Sequence, residues 1–201
     1  MDGAWQLRAA KELFAPYAAQ FWIAGAWAVD LMMGRQRREH TDVDVLILAN
    51  DLPVFARTFT GILVKDNQTG EQRPWADADE VEPGRHTFAV AAAPCVQVML
   101  ALTDGDDWLF HRGRRTRRAL ADIGHVSADG LPFLGPELVL LFKARDRLRA
   151  RDPRDKDEQD FRDLAPLLTT EQRQWLIPRL THPGADEHPW LPILQAPSSA
   201  A

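Results

Sequence analysis

The apolar residues of this chain change period several times, and each change marks an element. Between residues 4 and 19, Trp5, Leu7, Ala10, Leu13, Phe14 and Tyr17 recur at roughly helical spacing, which predicts a helix with one buried stripe. Phe21-Trp22-Ile23-Ala24 is a short continuous apolar run that stops at Gly25 and reads as a buried strand. Ala26 to Met33 reads as a helix, with Gly34 as its stop because glycine accepts the left-handed conformation just past a helix end. From Asp42 to Leu48, charged and apolar residues alternate and then give way to apolar residues alone. That is a strand entering the core from a solvated edge. Asp51 as N-cap and Pro53 near the first turn predict a helix through Phe59.

Residues 66–85 are polar and carry Gly70, Pro74, Pro83 and Gly84, so a loop or irregular excursion is expected there. His86 to Ala92 and Cys95 to Leu102 flank Pro94 and read as an antiparallel pair. Gly105, Gly113, Gly124 and Gly130 then punctuate a loop-rich segment up to Gly135. The remainder is helical in pattern. Pro136 and Glu137 open a helix to about Arg151, a second spans Lys156 to Leu168 with an interruption near Pro166, and a third follows Thr170 and ends before His182. The tail from Gln195 to Ala201 is expected to fray, with Trp190 pinning the chain before it. The change of character near Leu134–Pro136 predicts an α/β part over 1–134 and a helical part over 135–201.

Composition narrows the function. The 201 residues are 45% hydrophobic and 26% charged, an ordinary globular balance for one domain with a helical appendage. A single cysteine, Cys95, excludes a disulfide framework or a cysteine-based zinc site and suits a reducing cytoplasm. Lysine and arginine number 24 against 29 acids, a net charge of −5, which disfavours general nucleic-acid binding. Phe21 to Val29 and Phe88 to Pro94 are too short to span a bilayer, and no basic-then-apolar leader is present. The expectation is a cytoplasmic protein. No P-loop, no nucleophile elbow and no paired-histidine metal spacing occurs.

The chemistry concentrates in Ala24-Gly25-Ala26-Trp27 and Asp42-Val43-Asp44-Val45. Side chains two apart on a strand share a face, so Asp42 and Asp44 lie side by side while Val43 and Val45 face the core. Two adjacent carboxylates repel unless a positive charge sits between them. Mg²⁺ is the natural partner, since it takes oxygen ligands and keeps several waters. Upstream, a strand that ends in glycine and opens a helix presents free backbone N–H groups to an anion, and Gly25 allows a phosphate to approach the main chain. Metal-binding carboxylates beside a phosphate cradle suit phosphoryl or nucleotidyl transfer.

Trp22 to Asp30, Gly34-Arg35 and Arg38-Glu39-His40-Thr41-Asp42-Val43-Asp44-Val45 together resemble the nucleotidyltransferase superfamily, and within it the aminoglycoside nucleotidyltransferase-like group. Pro136 to Lys143 and Lys156 to Phe161 resemble that group's C-terminal helices. The resemblance implies an α/β (α+β) fold: a small mixed β-sheet flanked by helices, followed by a helical part. It implies transfer of a nucleoside monophosphate, AMP foremost, from a nucleoside triphosphate to an acceptor hydroxyl with one Mg²⁺ or two. An aminoglycoside-like small molecule is one candidate acceptor. Gly25 and Ala26 would cradle the triphosphate, Asp42 and Asp44 would hold metal, and Lys143 would touch phosphate or pyrophosphate. Two departures stand out. Ala26 replaces the usual glycine or serine of the turn, and Gln97 and Met99 stand where active members place a third carboxylate. A member without that general base is slow, recruits a base elsewhere, or is a nucleotide- or partner-binding protein of antitoxin-like or regulatory type.

Several residues keep two readings. Arg38 and His40 either pair locally with Glu39, Asp30 or Asp42, or contact phosphate and orient the carboxylates. Asp30 is expected to partner an arginine. Lys143 is either solvent-facing or a phosphate contact, and the acids of residues 156–161 suit a solvated helical face better than a cationic acceptor site. The run from His111 to Arg118 reads as an exposed basic loop rather than a polyphosphate grip, balanced by Asp77, Asp79, Glu80 and Glu82. Cys95 is expected to be a buried, inert thiol.

Overall fold

Residues 4–76, 80–111, 116–147, 155–181 and 188–196 are described in the structure, a computed structural model. The chain forms two compact units, Met1–Leu134 and Gly135–Ala201. The first opens with α1 (Trp5–Phe14), β1 (Phe21–Ile23), α2 (Gly25–Met33) and β2 (Val43–Leu48). A 3-10 turn, Ala49–Asp51, then runs into α3 (Leu52–Thr58). Eight strands follow: β3 (Ile62–Asp66), β4 (Gln72–Pro74), β5 (His86–Val90), β6 (Ala93–Asp104), β7 (Asp107–Leu109), β8 (Arg117–Ala119), β9 (Gly124–Val126) and β10 (Pro132–Leu134). The main sheet runs β4-β3-β5-β6-β2-β1-β10-β9, with β7 and β8 extending the far end of β6. It is mixed: β2 is parallel to β6 and β1 to β10, while the other pairs are antiparallel. The fold class read from the sequence is therefore the one observed.

One face of the sheet is the core. Val43, Val45 and Ile47 of β2, Val96, Val98 and Leu100 of β6, Phe88 and Val90 of β5, and Val64 of β3 are all buried on it. Aromatic rings from α1 and α3 close over them: Phe14 meets Phe21 at 4.8 Å, and Phe55 meets Phe88 at 5.6 Å. Each fully buried Val, Leu, Ile or Phe contributes about 1.5–3 kcal/mol, so this face supplies much of the unit's hydrophobic stabilisation. Burial within the same cluster raises the Tyr17 phenol well above its ordinary range.

The glycine- and proline-rich stretches hold more strand than expected. β4 lies inside residues 66–85 and pairs only with β3, so its exposed side tolerates polar residues and Pro74. The segment before Gly135 contains β7 to β10, each three residues long and too short to show a period. The β5–β6 turn falls at Ala91–Ala92 rather than at Pro94. The register jumps from Ala89↔Gln97 to Val90↔Ala93, so Pro94, Cys95 and Val96 bulge out from β5. A proline in a bulge has no ladder bond to lose. Asp51 makes no capping bond, because the 3-10 turn already carries it into the helix.

The second unit contains α4 (Pro136–Arg147), α5 (Asp155–Leu164) with a 3-10 turn Ala165–Leu167, α6 (Thr170–Leu180) and α7 (Leu191–Gln195). The continuation of α4 toward Arg151 lies outside the described residues. Pro166 sits in the 3-10 turn, where the interruption was expected. Thr169 and Gln172 form a reciprocal capping box at α6. The chain before the tail is helical because Trp190 anchors it: its ring stacks on Phe161 at 4.4 Å and its Nε1 donates to Glu158 Oε1 at 3.0 Å. Residues 197–201 lie outside the described residues. α5 corrects the reading of a solvated acidic face. Asp157 and Asp160 lie on its buried stripe with Phe161 and Leu164, and both meet Lys143 of α4, at 3.0 and 2.6 Å. Replacing Lys143 by Ala would take a shared cation from two buried carboxylates. A loss of about 3–5 kcal/mol in urea unfolding is expected.

Candidate active site

β1 ends at Ile23 and the chain turns at Gly25 directly into α2. Gly25 has φ +60°, the left-handed region, where a side chain is strained. It also has no room for one, since a Cβ would lie 2.2 Å from Asp44 Oδ2. The Asp44 carboxylate thus rests on the bare Cα at the start of α2. The backbone repeats the tie, with Ala24 N–H donating to the Asp44 carbonyl at 2.8 Å. The N-cap residue Ala24 has no side chain that caps α2, an arrangement in which first-turn N–H groups can be offered to a ligand. Gly25→Ala should therefore fail twice, through roughly 1–2 kcal/mol of backbone strain and through displacement of Asp44. Gly105→Ala is the control, because Gly105 has φ +59° but open space around it. Thermal unfolding should fall for both variants, and further for Gly25→Ala.

Asp42 is exposed immediately before β2, and Asp44 is half-buried on the face opposite the core. In-register partners share a face, so Gln97 of β6 stands beside Asp44, and Met99 beside Leu46. Cys95, two residues before Gln97, is half-buried rather than buried. Burial first, and the charge of Asp42 second, hold its thiol above the ordinary range. It is protonated at neutral pH and a poor nucleophile. Asp104, Asp106 and Asp107 do not replace the missing carboxylate. They sit at the β6–β7 turn, roughly 23 Å along the strand from Gln97, where Arg117 pairs with Asp104 and Asp107. Residues 112–115 of the basic run, and Asp77 and Asp79 set against it, lie outside the described residues.

The segment leading into Asp42 is held by Asp30. His40 Nε2 meets Asp30 Oδ2 at 2.6 Å, and Arg37 Nε meets Oδ1 at 2.7 Å, with all three side chains buried. With Nε2 donating to Asp30, His40 Nδ1 is left to accept from Arg38 Nη1 at 3.3 Å. The imidazole packs on Trp27 at 4.5 Å, and Gln6 Nε2 of α1 donates to the His40 carbonyl at 2.6 Å. His40 thus pairs with Asp30, not with Glu39 or Asp42, and the arginine expected for Asp30 is Arg37. The signal for this knot was the spacing of Asp30, Arg37 and His40 around Gly34, which turns the chain back on α2 with φ +65°.

Lys143 belongs to the second unit, where its ammonium is committed to Asp157 and Asp160. Among the described residues no group of three or more His, Cys, Asp or Glu side chains is placed to hold a metal ion. The pair Asp42 and Asp44 still suits Mg²⁺, which is satisfied by one or two carboxylates together with waters and substrate phosphates. At Gly25 the space of a side chain is taken by Asp44 Oδ2, so this glycine serves the approach of that carboxylate rather than that of a phosphate.

Comparison with known proteins meets this geometry at two levels. The class is defined by fold: the solution structure of the antibiotic-resistance factor ANT(2'')-Ia superposes with a TM-score of 0.58 at 14% identity, covering 88% of this chain and 90% of that one. The lincomycin-bound lincosamide antibiotic adenylyltransferase LnuA superposes with a TM-score of 0.53 at 19% identity, covering 80% and 94%. This is the nucleotidyltransferase fold. The particular resemblance is narrower. A family model for aminoglycoside-2''-adenylyltransferase matches residues 6–75. A lincosamide resistance protein of Staphylococcus haemolyticus is 41% identical over 34 residues, 17% of this chain and 21% of that protein. The resemblance to the aminoglycoside nucleotidyltransferase-like group, read from Trp22 to Val45, is thus met independently by the family model. Among the described residues, no helix is long and apolar enough to cross a membrane.

Proposed function

We propose that the protein is a cytoplasmic Mg²⁺-dependent nucleotidyltransferase that moves a nucleoside monophosphate, AMP foremost, from its triphosphate to the hydroxyl of a small acceptor. The observation that carries this reading is the Asp44 carboxylate resting on Gly25 at the uncapped start of α2. Asp42 and Asp44 would hold the metal, which when bound neutralises phosphate charge. The N–H groups at Gly25 and Ala26 would cradle the phosphates, and Arg38 would add a guanidinium. Asp30 and His40 would position the segment that carries Asp42. Lys143 is left as a structural cation of the second unit. The acceptor oxygen would attack the α-phosphorus in line, forming a new P–O bond as the bond to pyrophosphate breaks. The hydroxyl proton would pass to solvent, because Gln97 cannot take it. Positioning and charge neutralisation supply most of the acceleration in such transfers. Labelled ATP, CTP and GTP with Mg²⁺ and a panel of hydroxylated antibiotics test the reading, with pyrophosphate release as the expected result.

One observation favours a second reading. Gln97, in register beside Asp44, offers no proton acceptor. A protein that binds nucleotide but releases no pyrophosphate with any acceptor would be a regulatory or partner-binding relative of the transferases.

A further inference from the structure

The sheet face that carries Asp44 has an unusual charge pattern. Level with Asp44 across the sheet stand Gln97, Ala89 and Leu63; one row on stand Met99, Thr87 and Lys65. All six are half-buried, so this face is partly open where the core face is closed. Three strand spacings separate Asp44 from Leu63, about 14 Å, the length of a small glycoside. Beyond Asp44 these two rows carry no carboxylate. Of the acids around them, Asp66 points to the core face and pairs with Arg85, which also meets Glu82. The one charge on the rows is Lys65, which has no ion-pair partner among the described residues.

A polyamine acceptor needs carboxylates to receive its charges, and here it would meet a lysine instead. Leu63, Ala89 and Met99 offer apolar contact, and Gln97 and Thr87 offer neutral hydrogen bonds. We infer that the acceptor is a hydroxyl compound with at most one positive charge and a partly apolar body, which lies across β6, β5 and β3 from Asp44, and that polyamine sugars are poor ligands. This rests on the transferase reading and chooses between the two antibiotic chemistries named among its structural neighbours.

Calorimetry on the full chain, loaded with Mg²⁺ and a non-hydrolysable ATP analogue, separates the two. Lincomycin, with one basic amine, and tobramycin, a polyamine, are the probes. Lincomycin is expected to bind at least about tenfold more tightly, and Lys65→Glu should move the ratio toward tobramycin by about tenfold as one charge on the platform reverses sign. Tighter binding of tobramycin to the wild type, binding of neither probe, or a ratio unmoved by Lys65→Glu would overturn the inference. Pyrophosphate release with ATP is read on the same samples. Lincomycin bound without release would count against the transferase reading and leave the acceptor assignment standing.

Discussion

Asp44→Asn is expected to lower nucleotidyl transfer by about 10³-fold while leaving the fold intact, and Asp42→Asn to do nearly the same. A metal-held carboxylate at a transferring phosphoryl group supplies several kcal/mol of charge stabilisation. About 4 kcal/mol of that is about 10³ in rate. Asparagine keeps the shape that rests on Gly25, and the bond from Ala24 N–H reaches the Asp44 backbone carbonyl, which the substitution does not touch. In the absence of Mg²⁺ Asp42→Asn should be as stable as the wild type or slightly more so, because an exposed repulsive carboxylate has lost its charge. The decisive readout is linkage. Mg²⁺ with a non-hydrolysable nucleotide should raise the wild-type melting temperature, since a ligand that binds only the folded state stabilises it, and should raise that of Asp44→Asn far less. An equal shift in both proteins would remove Asp44 from the metal site, and full activity in either variant would remove the carboxylate pair from the chemistry.

Much of this site was legible because short-range constraints made it so. A strand, a glycine in the left-handed region and a helix occupy consecutive residues, and alternation along β2 settles which of Asp42 to Val45 face the core. Other features depend on partners distant in sequence. Nothing near Lys143 says that Asp157 and Asp160 will turn inward to meet it, since the acids read alone as a solvated face. β4 is polar and contains Pro74, and only its pairing with β3 makes it a strand. The platform of Leu63, Ala89 and Gln97 exists only through the register of three strands, which the bulge at Pro94 to Val96 shifts away from any hairpin drawn through Pro94. Local geometry could be read ahead of the fold, whereas its surroundings required the sheet.

Gln97→Asp tests whether the absent carboxylate is what separates the two functional readings. The residue stands in register with Asp44 on the adjacent parallel strand and on the same face. A carboxylate there would be placed to accept the acceptor's proton, which Gln97 cannot take. A positioned general base contributes on the order of 10²-fold or more, so transfer should rise by about that factor, or emerge where the wild type gives none. The pH profile supplies the sign. The base works only when deprotonated, so activity of the variant should fall as pH drops through its pKa. Asp42 and Asp44 nearby should raise that pKa above the ordinary aspartate value of about 4. The wild type should lack this limb. Added negative charge should also make the variant less stable without Mg²⁺ and more responsive to it. If Gln97→Asp leaves the rate and its pH dependence unchanged while nucleotide still binds, then no base is missing at this position. The acceptor then approaches from elsewhere, or the protein is built to bind nucleotide and not to transfer it.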